Sequence, residues 1–306
     1  IFEDIRKALF DSIYNGTSTS TTSTNNFTIE SLNEAKELLD KKGIPVPAYK
    51  KVDTKACLES FGFPVIQKAR KGGYDGKGVI LLKTKDDLSK AIEAESFIEE
   101  LVDIQKEIAV MVARNIEGEI SCYPVVEMLF DERVNICDIV IAPARIEESL
   151  RKEIEDISIK CIEALDGVGI FGVELFLTKD NKILVNEIAP RPHNSGHYTI
   201  ESCLTSQFEQ LIRAVTNLPL GSTKLISPST MVNLLGEEGY NGEPVIEGIH
   251  EVLEIPGLSF HFYGKKETSP FRKMGHITVL DESLEEALKK AQIAKEILKV
   301  KGSVKL

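Results

Sequence analysis

The chain has 306 residues, of which 42% are hydrophobic, so it is long enough to bury a sizeable core in two or three subdomains. A net charge of -11, with no apolar run of membrane-spanning length and no visible signal peptide, argues against proteins that coat nucleic acid or sit in a membrane. Five scattered cysteines without a Cys-x-x-Cys spacing predict free, buried thiols in a reducing cytosol.

Residues 1–30 differ in composition from the rest of the chain. The sequence opens at Ile1 without a methionine, so we do not expect this segment to be a native N-terminus. Its first fourteen residues, "IFEDIRKALFDSIY", have an amphipathic helical pattern. The Ser/Thr-rich tract at 15–26 has nothing to bury, which predicts a mobile linker, with a glycosylated stalk as the alternative.

Regular structure is predicted from Ser31 onward. "SLNE" is a capping-box pattern, and the helix that it opens ends at Gly43. Short β-rich runs follow at 63–69, 78–83, 96–102, 107–113, 119–126, 169–177 and 182–188. Apolar stripes at helical spacing cover 150–165, 208–215 and 284–298. This mixture without strict alternation predicts an α+β fold in which antiparallel sheet is prominent.

The stretch "KARKGGYDGKGV" at 68–79 lies between two apolar runs and predicts a β-hairpin with a glycine-rich tip. Lys68 and Lys77 would supply charges suited to phosphate oxygens. The spacing matches neither a Walker A loop nor a Rossmann turn. A flexible, solvated hairpin tip is the alternative, although Asp75 among the lysines favours a second contact, such as a substrate hydroxyl or amine.

A second hairpin is predicted from "GVELFLTKDNKILVNEIAP", with a two-residue turn at Asp180 and Asn181. That register places Glu174 directly opposite Glu187. Two carboxylates so close repel each other unless a hard cation lies between them or one is protonated, and Mg²⁺ prefers such oxygen ligands. A solvated surface pair or a register slip is the alternative. By the same alternation, Asn186 should point away from this face.

Polar residues follow directly in "APRPHNSGHYT", where Arg191, His193, Asn194 and His197 lie on a segment stiffened by prolines. They predict an anion-binding rim beside the carboxylates. Structural hydrogen bonding within the loop is the alternative for each residue, and a zinc site from the two histidines is a weaker one.

The densest basic cluster of this acidic chain is "FYGKKETSPFRKMGHI". Its cations are Lys265, Lys266, Arg272 and Lys273. Arg272 is suited to bidentate phosphate binding, whereas Lys266 is more simply explained as a solvated lysine.

The stretch "FIEELVDIQKEIAV" carries Glu99, Glu100 and Glu107. An extended segment here would offer backbone hydrogen bonds to an adenine, and an acid farther along would hold ribose hydroxyls.

Several motifs occur in order along the chain, and they are "KGGYDGKGV", "EELV", "FGVELFLT", "VNEIAPRPHNSGHYT", "TSQFEQ" and "YGKKE" with "RKMGH". Together they resemble those of 5-(carboxyamino)imidazole ribonucleotide synthase. The resemblance runs from about residue 34 to about residue 298 and implies an ATP-grasp fold, in which two α/β lobes grip ATP, with a small β-rich C-terminal domain. The implied domains are a remnant at 1–30, the ATP-grasp domain at 31–220 with a mobile lobe at about 50–105, and the C-terminal domain at 221–306.

The family uses ATP to activate bicarbonate as carboxyphosphate and carboxylates 5-aminoimidazole ribonucleotide in purine biosynthesis. By resemblance, ATP would be held by Lys68, Gly73, Tyr74, Asp75, Gly76, Lys77, Gly78, Glu99, Glu100, Leu101, Val102, Glu107, Asn186 and Glu187. Mg²⁺ would be bound by Glu174 and Glu187. The ribonucleotide and bicarbonate site would be lined by Asp75, Arg191, His193, Lys265 and Arg272. The resemblance also implies a cytoplasmic homodimer that binds neither nucleic acid nor membrane.

The sequence departs from the family pattern at several points, and these departures support a second functional hypothesis besides the ligase. The Rossmann-like domain with its "GGGQLG"-type turn has no counterpart here, nor has a basic residue that this region supplies to ATP. Phe130 stands where many members have histidine, and Ser269 where arginine is usual. A truncated or engineered module that binds Mg-ATP without full turnover is therefore the alternative. A relative that transfers formyl phosphate is a third option, which the residues "RPHNSGHYT" disfavour.

Overall fold

The computed structural model describes residues 32–52, 55–70, 78–131 and 133–306. The predicted N-terminal helix and Ser/Thr tract lie outside these ranges. So do the capping residue Ser31 and residues 71–77 of the glycine-rich loop. Every ladder between two strands of the described ranges is antiparallel, apart from one isolated parallel bridge between Gly236 and Val300, which agrees with the predicted α+β class.

A four-stranded sheet forms the first layer. Helix α1 (Leu32–Lys41) leads into it, and helix α2 (Lys55–Phe61) lies between its first two strands along the chain. The strands are β1 (Tyr49–Val52), β2 (Val65–Ala69), β3 (Val79–Leu82) and β4 (Ser96–Glu100), in the order β1-β4-β2-β3. Leu58, Val65, Leu82 and Ile98 fill its small core. The predicted hairpin is confirmed, because β2 pairs with β3 and the Ala69 amide donates to the Gly78 carbonyl.

A nine-stranded sheet forms the body of the molecule. Its first members are β5 (Ile104–Arg114), β6 (Ile120–Cys122), β7 (Val126–Asp131), β8 (Ile136–Ala142), β9 (Gly169–Thr178) and β10 (Ile183–Ala189). It is extended by β11 (Ser229–Leu235), β13 (Leu258–Phe262) and β14 (Lys273–Leu280). The order is β10-β9-β5-β7-β8-β11-β14-β13, with β6 beside β5, so the sheet runs through both predicted domains.

The central strand β5 is buried on both faces, which explains its unbroken apolar run. Ile108, Val110 and Val112 pack with helix α3 (Glu148–Leu165). The alternate residues Ala109, Met111 and Ala113 face the opposite side, where Tyr198 and Leu211 close the core. Helix α4 (Thr199–Ser202) and helix α5 (Gln207–Val215) lie on this second side. The period of two thus builds two separate cores on one strand.

The C-terminal residues close the end of the large sheet. Helix α6 (Ile249–Leu253) packs against β13, helix α7 (Leu284–Ile297) covers β11 and β14, and β12 (Tyr240–Glu247) pairs with β15 (Lys299–Lys305). Among the described residues, no helix combines the length and apolarity that a bilayer crossing requires. None of the five cysteines, all of which lie in the described ranges, forms a disulfide; Cys137, Cys161 and Cys203 are buried as predicted, whereas Cys57 and Cys122 are only half-buried.

One predicted strand is wrong. The run at 119–126 is split into β6 and β7, because Tyr123, Pro124 and Val125 leave the ladder. Proline lacks the amide hydrogen that a central strand needs, so the chain turns away at this point. The predicted stripes at 150–165, 208–215 and 284–298 are confirmed as α3, α5 and α7 within one or two residues.

The turn between β9 and β10 also differs from the prediction. Ile183 pairs with Leu177, and the Thr178 amide donates to the Lys182 carbonyl, so the loop holds three residues rather than two. Asn181 adopts a φ of 60°, the left-handed conformation that ends such a three-residue loop. Asn tolerates this conformation better than other side chains because it is short and polar.

We expect Asn181→Ala to lower the free energy of unfolding by about 1 kcal/mol, because alanine is disfavoured at a positive φ. Asn181→Gly should lose much less, since glycine adopts this conformation freely. Urea denaturation of both variants measures the difference. Equal losses for alanine and glycine would contradict the role of the left-handed residue.

Candidate functional site

The hairpin of β9 and β10 brings two acids together on one face of the large sheet. Glu187 is the Cα partner of Glu174, as the sequence predicted. The pairing arises in a different way, because the hairpin starts one residue out of the predicted register and a β-bulge between Val185 and Glu187 restores it. The extra residue in the bulge is Asn186.

The bulge corrects the predicted direction of the Asn186 side chain. A regular strand would send it to the opposite face from Glu174. Instead, Asn186 Nδ2 lies 3.5 Å from Glu174 Oε2, and Asn186 Oδ1 accepts a hydrogen bond of 2.7 Å from Lys68 Nζ. A β-bulge redirects a side chain in this way because it breaks the strict alternation of the strand. Asn186 therefore links the acids of the large sheet to a cation of the small sheet.

Lys68 lies on β2 and holds two contacts at once. Its Nζ is 2.7 Å from Glu99 Oε2, in addition to the bond to Asn186. The second oxygen of Glu99 contacts Lys36 Nζ of helix α1. Glu99 and Lys36 are both almost fully buried. Burial lowers the pKa of Lys36, and the adjacent Glu99 carboxylate opposes that shift.

A pocket opens between the two sheets beside these groups. Its lining residues come from α1, both sheets and the bulge, and are Ala35, Lys36, Leu39, Lys68, Phe97, Asn186, Glu187 and Ile188. The pocket therefore combines cationic side chains, one amide and one carboxylate with apolar side chains. This combination suits a ligand with a flat apolar part and a negatively charged part.

The acids carry more negative charge than their surroundings neutralise. Burial, and then the charges of Glu187 and Glu107, raise the pKa of Glu174 well above its usual value, with Lys68 and Lys273 acting in the opposite direction. Burial raises the pKa of Glu107 to about 7, again opposed by Lys68. Glu107 on β5 is aligned with Phe176, two residues from Glu174 on the adjacent strand, so the carboxyls share one face. Such a face favours a cation.

His193 stands beside Glu174 on the same side. Its Nε2 is 3.3 Å from Glu174 Oε1. Its Nδ1 is 2.8 Å from Ser195 Oγ and also accepts from the Ser195 amide at 3.4 Å. An Nδ1 that accepts from an amide carries no hydrogen in the neutral ring, so Nε2 holds the hydrogen and donates to the carboxylate. Gly172 makes room for this approach, because a Cβ there would lie 2.6 Å from His193 Cβ.

Other residues of the predicted rim make structural contacts. Asn194 exchanges two amide hydrogen bonds with Asn233 of β11, at 2.8 and 2.7 Å. His197 Nδ1 lies 3.0 Å from Gln207 Nε2, and its ring stacks on His276 with centroids 4.7 Å apart. These contacts are the kind that the structural alternative predicts for Asn194 and His197. Within the described ranges, no cluster of three His, Cys, Asp or Glu has the arrangement of a metal cage.

The outer cations are less tightly placed. The exposed Arg191 donates to the Pro192 carbonyl at 3.1 Å, and the exposed Arg272 donates to the Glu267 carbonyl at 2.8 Å. Lys265 Nζ donates to the Lys273 carbonyl at 2.6 Å and lies 5.8 Å from the centre of the Tyr263 ring. Among the described residues, the hydrogen bonds of Arg191 and Arg272 go to main-chain carbonyls and not to the acidic pair. Lys273, by contrast, is near enough to affect Glu174.

The rest of the predicted nucleotide residues divide into two sets. Those of the glycine-rich loop that lie outside the described residues are Gly73, Tyr74, Asp75, Gly76 and Lys77. At the end of β4, the Glu100 carboxylate accepts from the Ala48 amide at 2.9 Å, and just after the strand Leu101 is exposed and Val102 is half-buried. The Glu99 side chain points to the two lysines.

Lys36 is the residue of this site that the sequence analysis did not identify. Its signal was present, because Lys36 is four residues after Leu32 and three before Leu39 and so lies on the apolar side of α1. A lysine in that position either snorkels to solvent or has a buried partner. The partner, Glu99, is distant in the sequence and lies on β4.

Comparisons with known proteins match both parts of the chain. The ATP-grasp domain model matches residues 37–208, and the model of the phosphoribosylaminoimidazole carboxylase C-terminal domain matches residues 229–290. A crystal structure of N5-carboxyaminoimidazole ribonucleotide synthetase from Thermotoga maritima is 60% identical, with a TM-score of 0.83, over 90% of this chain and 73% of that one. The corresponding synthase from Aspergillus clavatus, solved with ADP and 5-aminoimidazole ribonucleotide, is 33% identical, with a TM-score of 0.77, over 88% of this chain and 73% of that one.

Curated sequences match in the same way. The phosphoribosylaminoimidazole carboxylase of Ogataea methanolica is 42% identical over 263 residues, which are 81% of this chain and 48% of that protein. The chain therefore spans about half the length of this longer relative.

The raised pKa of Glu107 leads to a pH-dependent prediction. An acid with a raised pKa in the folded protein costs stability once the pH exceeds its ordinary value of 4.5, and the cost is complete above about 7. Glu107→Gln removes that cost. Both proteins are compared without nucleotide or metal. We expect the difference in unfolding free energy, variant minus unchanged protein, to be about 2 kcal/mol larger at pH 8 than at pH 5, after allowing for solvent screening.

Denaturant unfolding at the two pH values measures this gain. Glu296→Gln, at an exposed position on α7, controls for the loss of one negative charge. The explanation fails if Glu107→Gln gives the same stability difference at both pH values.

Proposed function

The chain belongs to the N5-carboxyaminoimidazole ribonucleotide synthase family of ATP-grasp proteins, and on that premise we propose that it carboxylates 5-aminoimidazole ribonucleotide at the expense of ATP. The observation that carries the proposal is the arrangement of Glu174, Glu187 and Asn186 beside Lys68. Paired acids next to a buried, fixed cation suit phosphoryl transfer, in which charge must be balanced and oxygens held in place.

The proposed reaction has two steps. A bicarbonate oxygen attacks the γ-phosphorus of ATP, the bond to ADP breaks, and carboxyphosphate forms. The exocyclic amine of the ribonucleotide then bonds to the carboxyl carbon, directly or through released CO₂. The carbon–oxygen bond to phosphate breaks and the amine loses a proton. The relative solved with ADP and 5-aminoimidazole ribonucleotide supports this pair of ligands.

We assign Mg²⁺ to Glu174 and Glu187, with Glu107 nearby. The fit rests on the geometry, because Glu174 and Glu187 are Cα partners and Glu107 shares their face; burial also raises the pKa values of Glu174 and Glu107. Oxygen donors are also the ligands that this ion prefers. When bound, the ion would neutralise phosphate charge. Glu174 would be oriented from two sides by His193 and Asn186.

We assign the nucleotide to the pocket between the sheets. Lys68 would contact the phosphates, together with the glycine-rich loop from Gly73 to Gly78. The segment from Glu99 to Val102 would meet the adenine, Glu107 the ribose, and Asn186 the phosphate side. Glu99 would also act through its side chain, because it holds Lys68 in place.

We assign the acceptor site to Asp75, Arg191, His193, Lys265 and Arg272. The exposure of Arg191 and Arg272 fits groups that reach a ligand at the rim. His193, which faces Glu174, would connect this rim with the metal ligands. The division into an ATP-grasp domain at 31–220 and a C-terminal domain at 221–306, the homodimer and the cytoplasmic location belong to the same proposal.

The first experiment measures ADP release with Mg-ATP and bicarbonate, with and without 5-aminoimidazole ribonucleotide. Stimulation by the ribonucleotide is the result expected of the synthase. Binding of Mg-ATP without stimulated turnover would favour the alternative, a module that holds the nucleotide but does not complete the reaction. Product analysis for the carboxylated ribonucleotide completes the test.

Glu187→Gln should reduce ATP hydrolysis roughly a hundredfold or more while the protein stays folded, because one of two anionic metal ligands is lost. Phosphate release gives the rate, and circular dichroism checks the fold. Glu163→Gln, exposed on α3, is the matched control and should retain the full rate. Hydrolysis by Glu187→Gln at the rate of the unchanged protein would refute the metal assignment.

A further inference from the structure

Gln207, the first residue of α5, is fully buried and binds the main chain of His193 at both of its polar groups. Its Oε1 accepts from the His193 amide at 2.9 Å, and its Nε2 donates to the His193 carbonyl at 2.9 Å. Nε2 is also 3.0 Å from His197 Nδ1. One side chain thus fixes the main chain at His193, which lies four residues after the end of β10 and opens the turn at Asn194–Gly196.

The surroundings of Gln207 leave little freedom. Its own amide donates to Thr199 Oγ1 at 2.9 Å, and that hydroxyl donates to the Gly196 carbonyl at 2.6 Å. A Cβ on Gly196 would lie 2.5 Å from Gln207 Oε1. On the other side, His193 rests on Gly172 of β9, where a Cβ would also collide with it. His193 is therefore held between the sheet and the Gln207 amide.

This position matters because of what the His193 ring contacts. The ring reaches Glu174 through Nε2 and Ser195 through Nδ1, so its placement depends on the main chain at residue 193. A side chain cannot compensate for a displaced main chain when both of its nitrogens are already engaged. Small displacements of a group that orients reacting molecules cost large factors in rate.

We propose that Gln207 is a positioning residue of the active site, which holds His193 so that its Nε2 faces Glu174. The inference rests on the proposed function for its catalytic consequence, but its structural part can be tested separately. Gln207 touches neither substrate nor metal in this assignment and reaches the metal ligands through His193.

The chain contains a matched control one turn along the same helix. Gln210 is also fully buried, and it bridges the two polar main-chain groups of Gly221: Oε1 accepts from the Gly221 amide at 2.7 Å, and Nε2 donates to the Gly221 carbonyl at 2.8 Å. Gly221 lies on the connection to β11, not on the His193 turn. Gln207→Met and Gln210→Met therefore remove the same chemistry from two different loops.

The direct readout is the ¹⁵N spectrum of the histidine rings in full-length protein, recorded at one fixed pH without ligands. The chain has five histidines, and His193→Ala identifies the signals of interest. We expect the unchanged protein to show His193 with hydrogen on Nε2. Gln207→Met should shift the His193 signals or mix the two tautomers, whereas Gln210→Met should leave them unchanged. Unshifted His193 signals in a folded Gln207→Met protein would overturn the proposal.

Turnover supplies the second readout. In Gln207→Met, kcat/KM for the ribonucleotide should fall about tenfold to a hundredfold, with KM for ATP changed by less than about twofold. Gln210→Met should match the thermal destabilisation but keep the kinetic constants. Equal kinetic losses in both variants would mean that Gln207 only stabilises the fold. If the unchanged protein shows no stimulated turnover, the proposed function fails, and the ¹⁵N result still decides the positioning role.

If Gln207→Met does not fold, Gln207→Glu replaces it. The shape is kept and so is the acceptor for the His193 amide, but the carboxylate cannot donate to the His193 carbonyl. His193 signals identical to those of the unchanged protein in Gln207→Glu would equally overturn the proposal.

Discussion

The site depends on like charges held at close range: Glu174 and Glu187 are direct partners on adjacent strands, with Glu107 on the same face. Bringing carboxylates together in a half-buried pocket is unfavourable unless positive charge or a proton compensates. The surrounding contacts act on this repulsion from different sides. Lys68 approaches through Asn186, and His193 donates a hydrogen bond from the opposite side. The arrangement keeps the acids oriented but incompletely neutralised, as a cation site requires.

The local sequence pattern correctly predicted that Glu174 and Glu187 are partners, but the strand register from which it was predicted was wrong. Strand alternation and the Asp-Asn turn predicted Glu174 opposite Glu187, and the structure has that pairing. The turn is one residue longer than predicted, and the bulge at Asn186 compensates for it. The bulge was not predictable from β-propensity, since its stabilising contact is Lys68, more than a hundred residues earlier. An expectation drawn from alternation alone therefore placed Asn186 on the wrong face.

Long-range polar contacts explain the other gaps. The sequence marked His193 as a rim residue, but the amide of Gln207 that holds it was indistinguishable from an ordinary helix-start glutamine. Lys36 appeared to be one charged residue of an amphipathic helix, and its buried partner Glu99 lies on another element. Arg191 and Arg272 show the converse. The motifs indicated their side-chain chemistry, yet both are exposed and, among the described residues, donate to nearby main-chain carbonyls. Hydrophobic periodicity in the sequence identifies the buried face of a helix or strand, whereas the partner of a polar side chain is set by the tertiary structure.

The continuity of the large sheet has a mechanical consequence. Strands β9 and β10, which carry the acids, belong to the same continuous hydrogen-bonded sheet as β11 and β14 near the C-terminal cations. Shearing or hinging within this sheet would break many main-chain bonds together, so that part of the molecule is stiff. Among the described residues, no strand pairing joins the four-stranded sheet to it, and Lys68 bridges the two through side-chain contacts. The molecule should therefore deform most easily at the pocket, where a small force can change the distance between the two sheets.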